Sequence, residues 1–323
     1  MSDYMNEKRV LLVGAGSIAV DYSKVLSGLG ANFQVVGRSE KGVSLFKERS
    51  GHEASTGGIQ LHRQGKDLEF DYAVVAVNVE ELAKTAINLM NRGIKKILLE
   101  KPAGLCVSEI KSVADMAANS DSYVVVAYNR RFYSSVLKAQ EIIKKDGGVT
   151  SFHFDFTEWT HAIHEAISNR KVKENWFLAN STHVVDMAFF LGGKPQEICT
   201  FKSGGFGWHP AGKVFSGAGV SESGALFSYR SNWGAPGRWG VEVETENHKL
   251  FFRPLEKLQA QVHKSIAIEF VDIDDQLDQE YKPGLYRQVK YFHQDIAHPN
   301  YIDIHQHLSA CHSYYYKILN PAS

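Results

Sequence analysis

Cysteine is scarce in this sequence: Cys106, Cys199 and Cys311 are odd in number and far apart. That excludes a disulfide framework and predicts a reducing, cytoplasmic setting. A surplus of one charge is missing too, because Lys plus Arg and Asp plus Glu both number 36. A nucleic-acid binder normally carries a basic excess, so nucleic acid is not an expected partner. Long apolar runs are lacking; stretches such as Ala73–Val77 fall far short of the roughly 20 residues of a membrane helix. Met1–Arg9 is polar and leads straight into a strand pattern, so neither a secretory leader nor a membrane partner is expected. What is present is ordinary for a folded chain: 323 residues, 44% hydrophobic and 22% charged. That length suits two domains of roughly 100–200 residues each.

The first part alternates strand and helix signals. Val10–Val13, Phe33–Val36, Tyr72–Val77, Lys96–Leu99 and Tyr123–Ala127 are short, mostly β-branched apolar runs, as strands buried on both faces require. Ala19–Leu29, Ser44–Arg49, Glu80–Arg92 and Val107–Asn119 read as the helices between them. This order predicts an α/β Rossmann domain, a doubly wound parallel sheet, over residues 1–128. After Asn129 the pattern changes. A helix over Arg131–Lys145 precedes strands at Thr150–Thr157, Glu197–Lys202, Gly224–Asn232, Val241–Thr245, Lys249–Arg253 and Ser265–Asp272. Further helices are read at Ser181–Leu191 and Leu285–Ile296, and Gly204–Gly219, with six glycines, reads as a mobile loop. Residues 129–323 are thus expected to form an α+β domain with a large, mostly antiparallel sheet.

Gly14-Ala15-Gly16-Ser17-Ile18-Ala19 follows the first strand and opens the first helix. Gly14 permits the tight turn, Gly16 lets backbone N–H groups reach a pyrophosphate, and Ala19 lets helix and strand pack closely. Gly14, Gly16, Ser17 and Ile18 are therefore candidate cofactor-binding residues, with the phosphates on the positive end of a helix dipole. Where NAD enzymes carry an acid after the second strand, this chain has Arg38-Ser39. A guanidinium and a hydroxyl suit a 2′-phosphate, so NADP is expected ahead of NAD, with Glu40 keeping NAD open.

With Glu100-Lys101-Pro102 after the fourth strand, the chain resembles the Gfo/Idh/MocA oxidoreductases, the glucose–fructose oxidoreductase and inositol dehydrogenase family. The likeness extends to Ala76-Val77-Asn78, Asn129-Arg130-Arg131-Phe132 and His183-Val184-Val185-Asp186. It implies reversible hydride transfer at a carbinol carbon of a sugar, polyol or nucleotide-linked sugar, with Val77, Asn78, Glu100 and Lys101 near the cofactor. It also implies a cis Lys101–Pro102 bond and a homodimer or homotetramer built through the second domain's sheet.

Oxidising an alcohol needs a base within reach of its hydroxyl. Lys101, at the carboxyl end of a central strand, can polarise a carbonyl, stabilise an alkoxide or relay a proton. Asn180-Ser181-Thr182 supplies several capping side chains, which predicts His183 in the first turn of a helix, where the dipole favours a neutral ring. Asp186, three residues on, is expected to orient that ring. Lys101, His183 and Asp186 are the candidate catalytic residues, the first two expected to converge beside the nicotinamide. One departure stands out: many relatives have an aspartate four residues before this histidine, and here the position is Ala179. Asn129, Arg130, Arg131, Trp159, Trp176, Asn180 and His183 are read as substrate-binding, because aromatics and cations suit a sugar ring with an anionic group. His161 and His164 are joined by no cysteine, and Glu165 beside them is not at a metal-site spacing, so no metal is expected; His305, His307 and His312 read as surface and packing residues. Two rivals share the motifs: a glycosidase that retains its NAD for transient oxidation, and a non-catalytic cofactor-sensing regulator.

Overall fold

The structure, a computed structural model, describes residues 8–61 and 69–321. Most of the polar N-terminal stretch discussed above, residues 1–7, lies outside them. The chain divides into two compact units. One holds the residues up to Asn129 together with Leu277–Leu308; the other holds Arg130–Gln276 and the residues from Ser309 onward.

The first unit is built on five strands: β1 (Arg9–Val13), β2 (Asn32–Val36), β3 (Tyr72–Val75), β4 (Lys96–Leu99) and β5 (Tyr123–Val126). All pair in parallel, in the order β2-β1-β3-β4-β5. Val10–Leu12, Tyr72–Val75 and Ile97–Leu99 are buried, which is why the sequence gives unbroken apolar runs there rather than alternation. Strand order reverses between β1 and β3, and the crevice outside the strand carboxyl ends at such a point is where doubly wound sheets take ligands. Helix α1 (Ser17–Gly28) and helix α2 (Glu40–Ser50) follow β1 and β2, and helices Leu82–Asn91 and Val107–Asn119 follow β3 and β4.

A single boundary after residue 128 does not describe this chain, because Leu277–Leu308 returns to the first unit. Helix Leu285–His293 buries Leu285, Val289 and Phe292, one face at helical spacing. Its His293 Nδ1 meets the Tyr72 hydroxyl at 2.9 Å, and the Val126 N–H donates to the Ile302 carbonyl at 2.9 Å. An amphipathic stripe says that a helix packs, not on which core, so sequence order alone misassigned it.

The second unit carries an eight-stranded sheet in the order β13-β12-β11-β10-β6-β9-β8-β7. The strands are β6 (Ser151–Asp155), β7 (Pro195–Ser203), β8 (Val214–Ser221), β9 (Leu226–Asn232), β10 (Gly240–Glu244), β11 (His248–Phe252), β12 (Gln259–Val262) and β13 (Glu269–Phe270). Every neighbouring pair is antiparallel except β6 with β9. Helix Thr182–Gly192 lies on one face, its Phe189 edge-on to Phe152 and Phe154. Gly192 is the contact point, since a Cβ there would meet the Phe152 ring at 2.2 Å.

Two expectations are corrected in this unit. The glycine-rich stretch Gly204–Gly219 is not all loop, because Val214–Ser221 forms β8. Gly217 and Gly219 lie opposite Tyr229 and Phe227 on β9, and a Cβ at either glycine would meet those rings within 2.4 and 2.6 Å. The missing side chains make room for cross-strand aromatics, a use of strand glycine that composition cannot separate from flexibility. The strand read at Ser265–Asp272 shrinks to Glu269–Phe270, and Gln259–Val262 pairs instead. Among the described residues no helix is long and apolar enough to cross a membrane.

Candidate active site

Gly14 has φ 132°, and a Cβ there would stand 2.1 Å from the Ala76 carbonyl oxygen, so no other residue fits this turn unchanged. At Gly16 a Cβ would meet nothing within 4 Å. The chain itself gives no packing reason for glycine there, which leaves an approaching group as the reason. Helix α1 begins at Ser17 with no side-chain cap and no acid in its first turn, so its free N–H groups and positive dipole end face outward. These residues fit the pyrophosphate of a dinucleotide. Ile18 is half-buried beside them, and Val77 and Asn78 follow β3, Asn78 exposed.

At the end of β2 the Arg38 side chain is 75% exposed, its guanidinium 3.6 Å from a Glu81 carboxylate oxygen. Ser39 caps α2, its Oγ accepting from the Gly42 N–H at 3.2 Å, so the hydroxyl proton is what it has left to offer. The cation expected beside an adenine ribose stands where the sequence puts it, facing solvent.

After β4, Glu100 accepts a hydrogen bond from the Tyr22 hydroxyl at 2.8 Å. Burial lifts the Glu100 carboxyl above its usual range, and Tyr22, Lys101 and Lys282 oppose the rise. Lys101 is half-buried, and its bond to Pro102 is cis. The Pro102 carbonyl accepts from His307 Nε2 at 2.9 Å. His307 is fully buried and packs against Tyr128, so this packing histidine braces the lysine loop. Asn129 is buried and donates its amide to the Pro283 carbonyl at 2.9 Å.

In the second unit His183 is the second residue of helix Thr182–Gly192, but the expected N-cap is absent. A π-turn over Phe177–Ser181 runs straight into this helix. Thr182 Oγ1 donates back to the Leu178 carbonyl at 2.8 Å, as a mid-helix threonine does. Asn180 and Ser181 point elsewhere. Ser181 Oγ donates to Glu158 at 2.6 Å, and Asn180 Nδ2 stands 3.1 Å from both Glu158 oxygens. The dipole argument for a neutral His183 therefore loses its basis, since no helix begins at that point. A π-turn in a helix commonly marks a functional position.

Asp186 is completely buried, and Arg131 grips both its oxygens, Nε at 2.8 Å and Nη2 at 2.6 Å. Burial pulls the Arg131 guanidinium down in pKa, and the Asp186 charge and hydrogen bonds more than restore it. A bidentate pair of this kind is the strongest arrangement open to either residue. Asp186 is thus committed to Arg131, and both side chains are buried in that pair.

What gathers around His183 is aromatic. Its ring lies 6.2 Å from the Trp239 ring, and Arg130 sits over Trp239 at 5.1 Å. Arg238 spans Trp239 at 5.2 Å and Trp159 at 4.6 Å. Trp159 is half exposed and anchored by its indole N–H on the Gly237 carbonyl at 2.9 Å. Trp176 is half-buried just before the π-turn. Sequence reading named Arg130, Trp159, Trp176 and Asn180 but missed Glu158, Arg238 and Trp239. Glu158 carried no local signal, being separated from Asn180 by 22 residues. Among the described residues no group of three or more His, Cys, Asp or Glu is arranged to hold a metal ion.

With this geometry in place, residues 8–128 match the Gfo/Idh/MocA family model, described as an oxidoreductase family with an NAD-binding Rossmann fold. No curated protein matches the sequence. Several solved structures share the fold across both units. An oxidoreductase from Agrobacterium radiobacter, solved with NAD+, L-tartaric acid and magnesium, is 14% identical over 98% of each chain, with a TM-score of 0.77. Levoglucosan dehydrogenase, solved with NADH and L-sorbose, is 16% identical over 94% of this chain and 93% of its own, at 0.72. UDP-N-acetylglucosamine 3-dehydrogenase from Acidithiobacillus ferrooxidans is 12% identical over 95% and 96%, at 0.71. At these identities the likeness is one of fold.

Proposed function

We propose that the protein is an NAD(P)-dependent dehydrogenase acting on a CH–OH group of a sugar, polyol or nucleotide-linked sugar. The observation that carries this reading is the pairing of an open, uncapped α1 at Gly16 with Lys101 at the carboxyl end of β4. The bound dinucleotide supplies the hydride acceptor. The chain supplies the rest. Lys101 carries the positive charge that steadies the substrate oxygen as negative charge develops on it. His183 takes the hydroxyl proton on an imidazole nitrogen. Trp159 and Trp239 offer flat apolar faces to the sugar ring, and Arg130 and Arg238 offer cations to an anionic substituent. The kinship to sugar and nucleotide-sugar dehydrogenases supports the substrate class.

The test is a panel of polyols, free sugars and nucleotide sugars assayed for reduced-nicotinamide absorbance. Lys101→Ala and His183→Ala should each lower turnover by ~10²–10⁴ with cofactor affinity nearly unchanged. Near-parental turnover in both variants would overturn the mechanism. Product release without net nicotinamide reduction would favour the retained-NAD glycosidase.

Two finer readings accompany it. NADP binds ahead of NAD through Arg38, and Arg38→Ala narrows the gap by about 1–3 kcal/mol; equal titrations of both cofactors in the parent protein would refute this. A homodimer or homotetramer forms through the sheet face that carries exposed Phe201, Leu226 and Phe270. Light scattering that reports a monomer at micromolar concentration would count against it.

A further inference from the structure

Glu158 is 3% exposed and accepts three hydrogen bonds from two neutral side chains, Ser181 Oγ at 2.6 Å and Asn180 Nδ2 at 3.1 Å from each oxygen. Removing a carboxylate from water costs several kcal/mol, and neutral donors return only part of it. Stability alone gives no reason for the charge. Thr182 shows that a hydroxyl in this turn can be satisfied by a backbone carbonyl, so Ser181 does not need Glu158. Burial lifts the Glu158 carboxyl above its usual range, opposed by Ser181, Trp176, Asn180 and the charge of Arg238.

The carboxylate does one thing an amide in its place cannot. It only accepts, so it fixes which end of the Asn180 amide it meets. The Nδ2 group faces Glu158, and Oδ1 is turned the other way as a hydrogen-bond acceptor. Asn180 is half-buried, three residues before His183 on the same turn of chain, and Arg238 links the Glu158 neighbourhood to Trp159 and Trp239.

We propose that Glu158 is a positioning residue that holds Asn180 with its amide oxygen presented to a hydroxyl of the substrate, selecting a polyhydroxylated ring that donates there. This rests on the dehydrogenase reading. Asn180 is the residue that touches substrate, and Glu158 acts through it. Ser181 donates to Oε1, one of the two oxygens that Asn180 meets, so the carboxylate is held from two consecutive residues.

The experiment is a double-mutant cycle with Glu158→Gln and Asn180→Ala, measured as kcat and KM on the best substrate of the panel. Each single variant should lower kcat/KM by roughly 10- to 100-fold, mostly through KM, because a hydrogen bond to the bound hydroxyl is lost or misdirected. The double variant should be no worse than the poorer single. NADH titration by fluorescence should be unchanged in all three, which shows that they fold. Parental kcat/KM in Glu158→Gln, or additive losses in the double variant, would overturn the proposal. A second readout needs no substrate: in protein labelled with 15N-asparagine, the Asn180 side-chain amide should exchange slowly in the parent and fast in Glu158→Gln. Equal exchange in the two proteins would overturn the proposal. If the parent oxidises nothing in the panel, the dehydrogenase reading fails while amide exchange still decides the orientation.

Discussion

Asp186 lies three residues beyond the candidate base, and its loss separates two views of the site. Asp186→Asn keeps the shape and removes the charge. The Arg131 guanidinium then stays buried, its side chain 10% exposed, against one amide oxygen and one amide NH2 that it cannot bond. Breaking a buried pair by removing one partner costs about 3–5 kcal/mol. At roughly 2–4 °C per kcal/mol for a chain of this size, Tm should drop by about 6–20 °C. Scanning calorimetry and urea unfolding measure it directly. Replacing both partners, Arg131→Met with Asp186→Leu, should recover most of the loss, since an apolar pair of similar volume carries no stranded charge. The result that refutes the reasoning is an Asp186→Asn protein as stable as the parent with turnover collapsed. That outcome would return Asp186 to the role of orienting His183.

The two loop glycines should fail differently. Gly14→Ala should weaken folding by about 1–3 kcal/mol, because its strained φ and the Ala76 carbonyl both oppose a side chain; Gly16→Ala should leave stability intact and weaken NADH binding in a fluorescence titration. His209 is buried with Nδ1 on the Gly212 carbonyl at 2.9 Å, and burial lowers its pKa. The unfolded chain then takes up a proton that the folded one refuses, so stability present above about pH 6.5 is lost as pH falls below it. Urea midpoints should therefore slope with pH in that range, and His209→Gln should flatten the slope. Gly217→Val should cost about 1–3 kcal/mol or more, since its Cβ would stand 2.4 Å from the Tyr229 ring; an unchanged melting curve would contradict the account of β8.

The first unit was legible because its determinants are local. Runs such as Ile97–Leu99 and the loop Gly14–Ala19 carry strand, turn and helix start within a few residues of each other, and helix Val107–Asn119 lies where its apolar spacing puts it. The second unit was read less well where its determinants are cross-strand. Nothing near Gly217 or Gly219 announces a strand; Phe227 and Tyr229, on the neighbouring strand, supply the reason. The returning helix Leu285–His293 was seen as a helix, but its home depends on Tyr72, more than 200 positions away by the separation of 221 between Tyr72 and His293.

The same distinction sorts the residues around His183. Arg131 and Asp186 looked like site residues because they are charged and stand beside motifs, yet each cancels the other's buried charge in full. A charge so matched needs no function to explain it. Glu158 looked like nothing in sequence, yet it is buried on neutral donors with the exposed Arg238 as opposing charge, so part of its desolvation cost remains uncompensated. Proteins tend to retain such costs at functional sites, where local rules are broken and the rest of the fold carries the strain. By that criterion the buried carboxylate proposed to position Asn180 is the one no motif marks, and the one the motif marks, Asp186, is buried against Arg131.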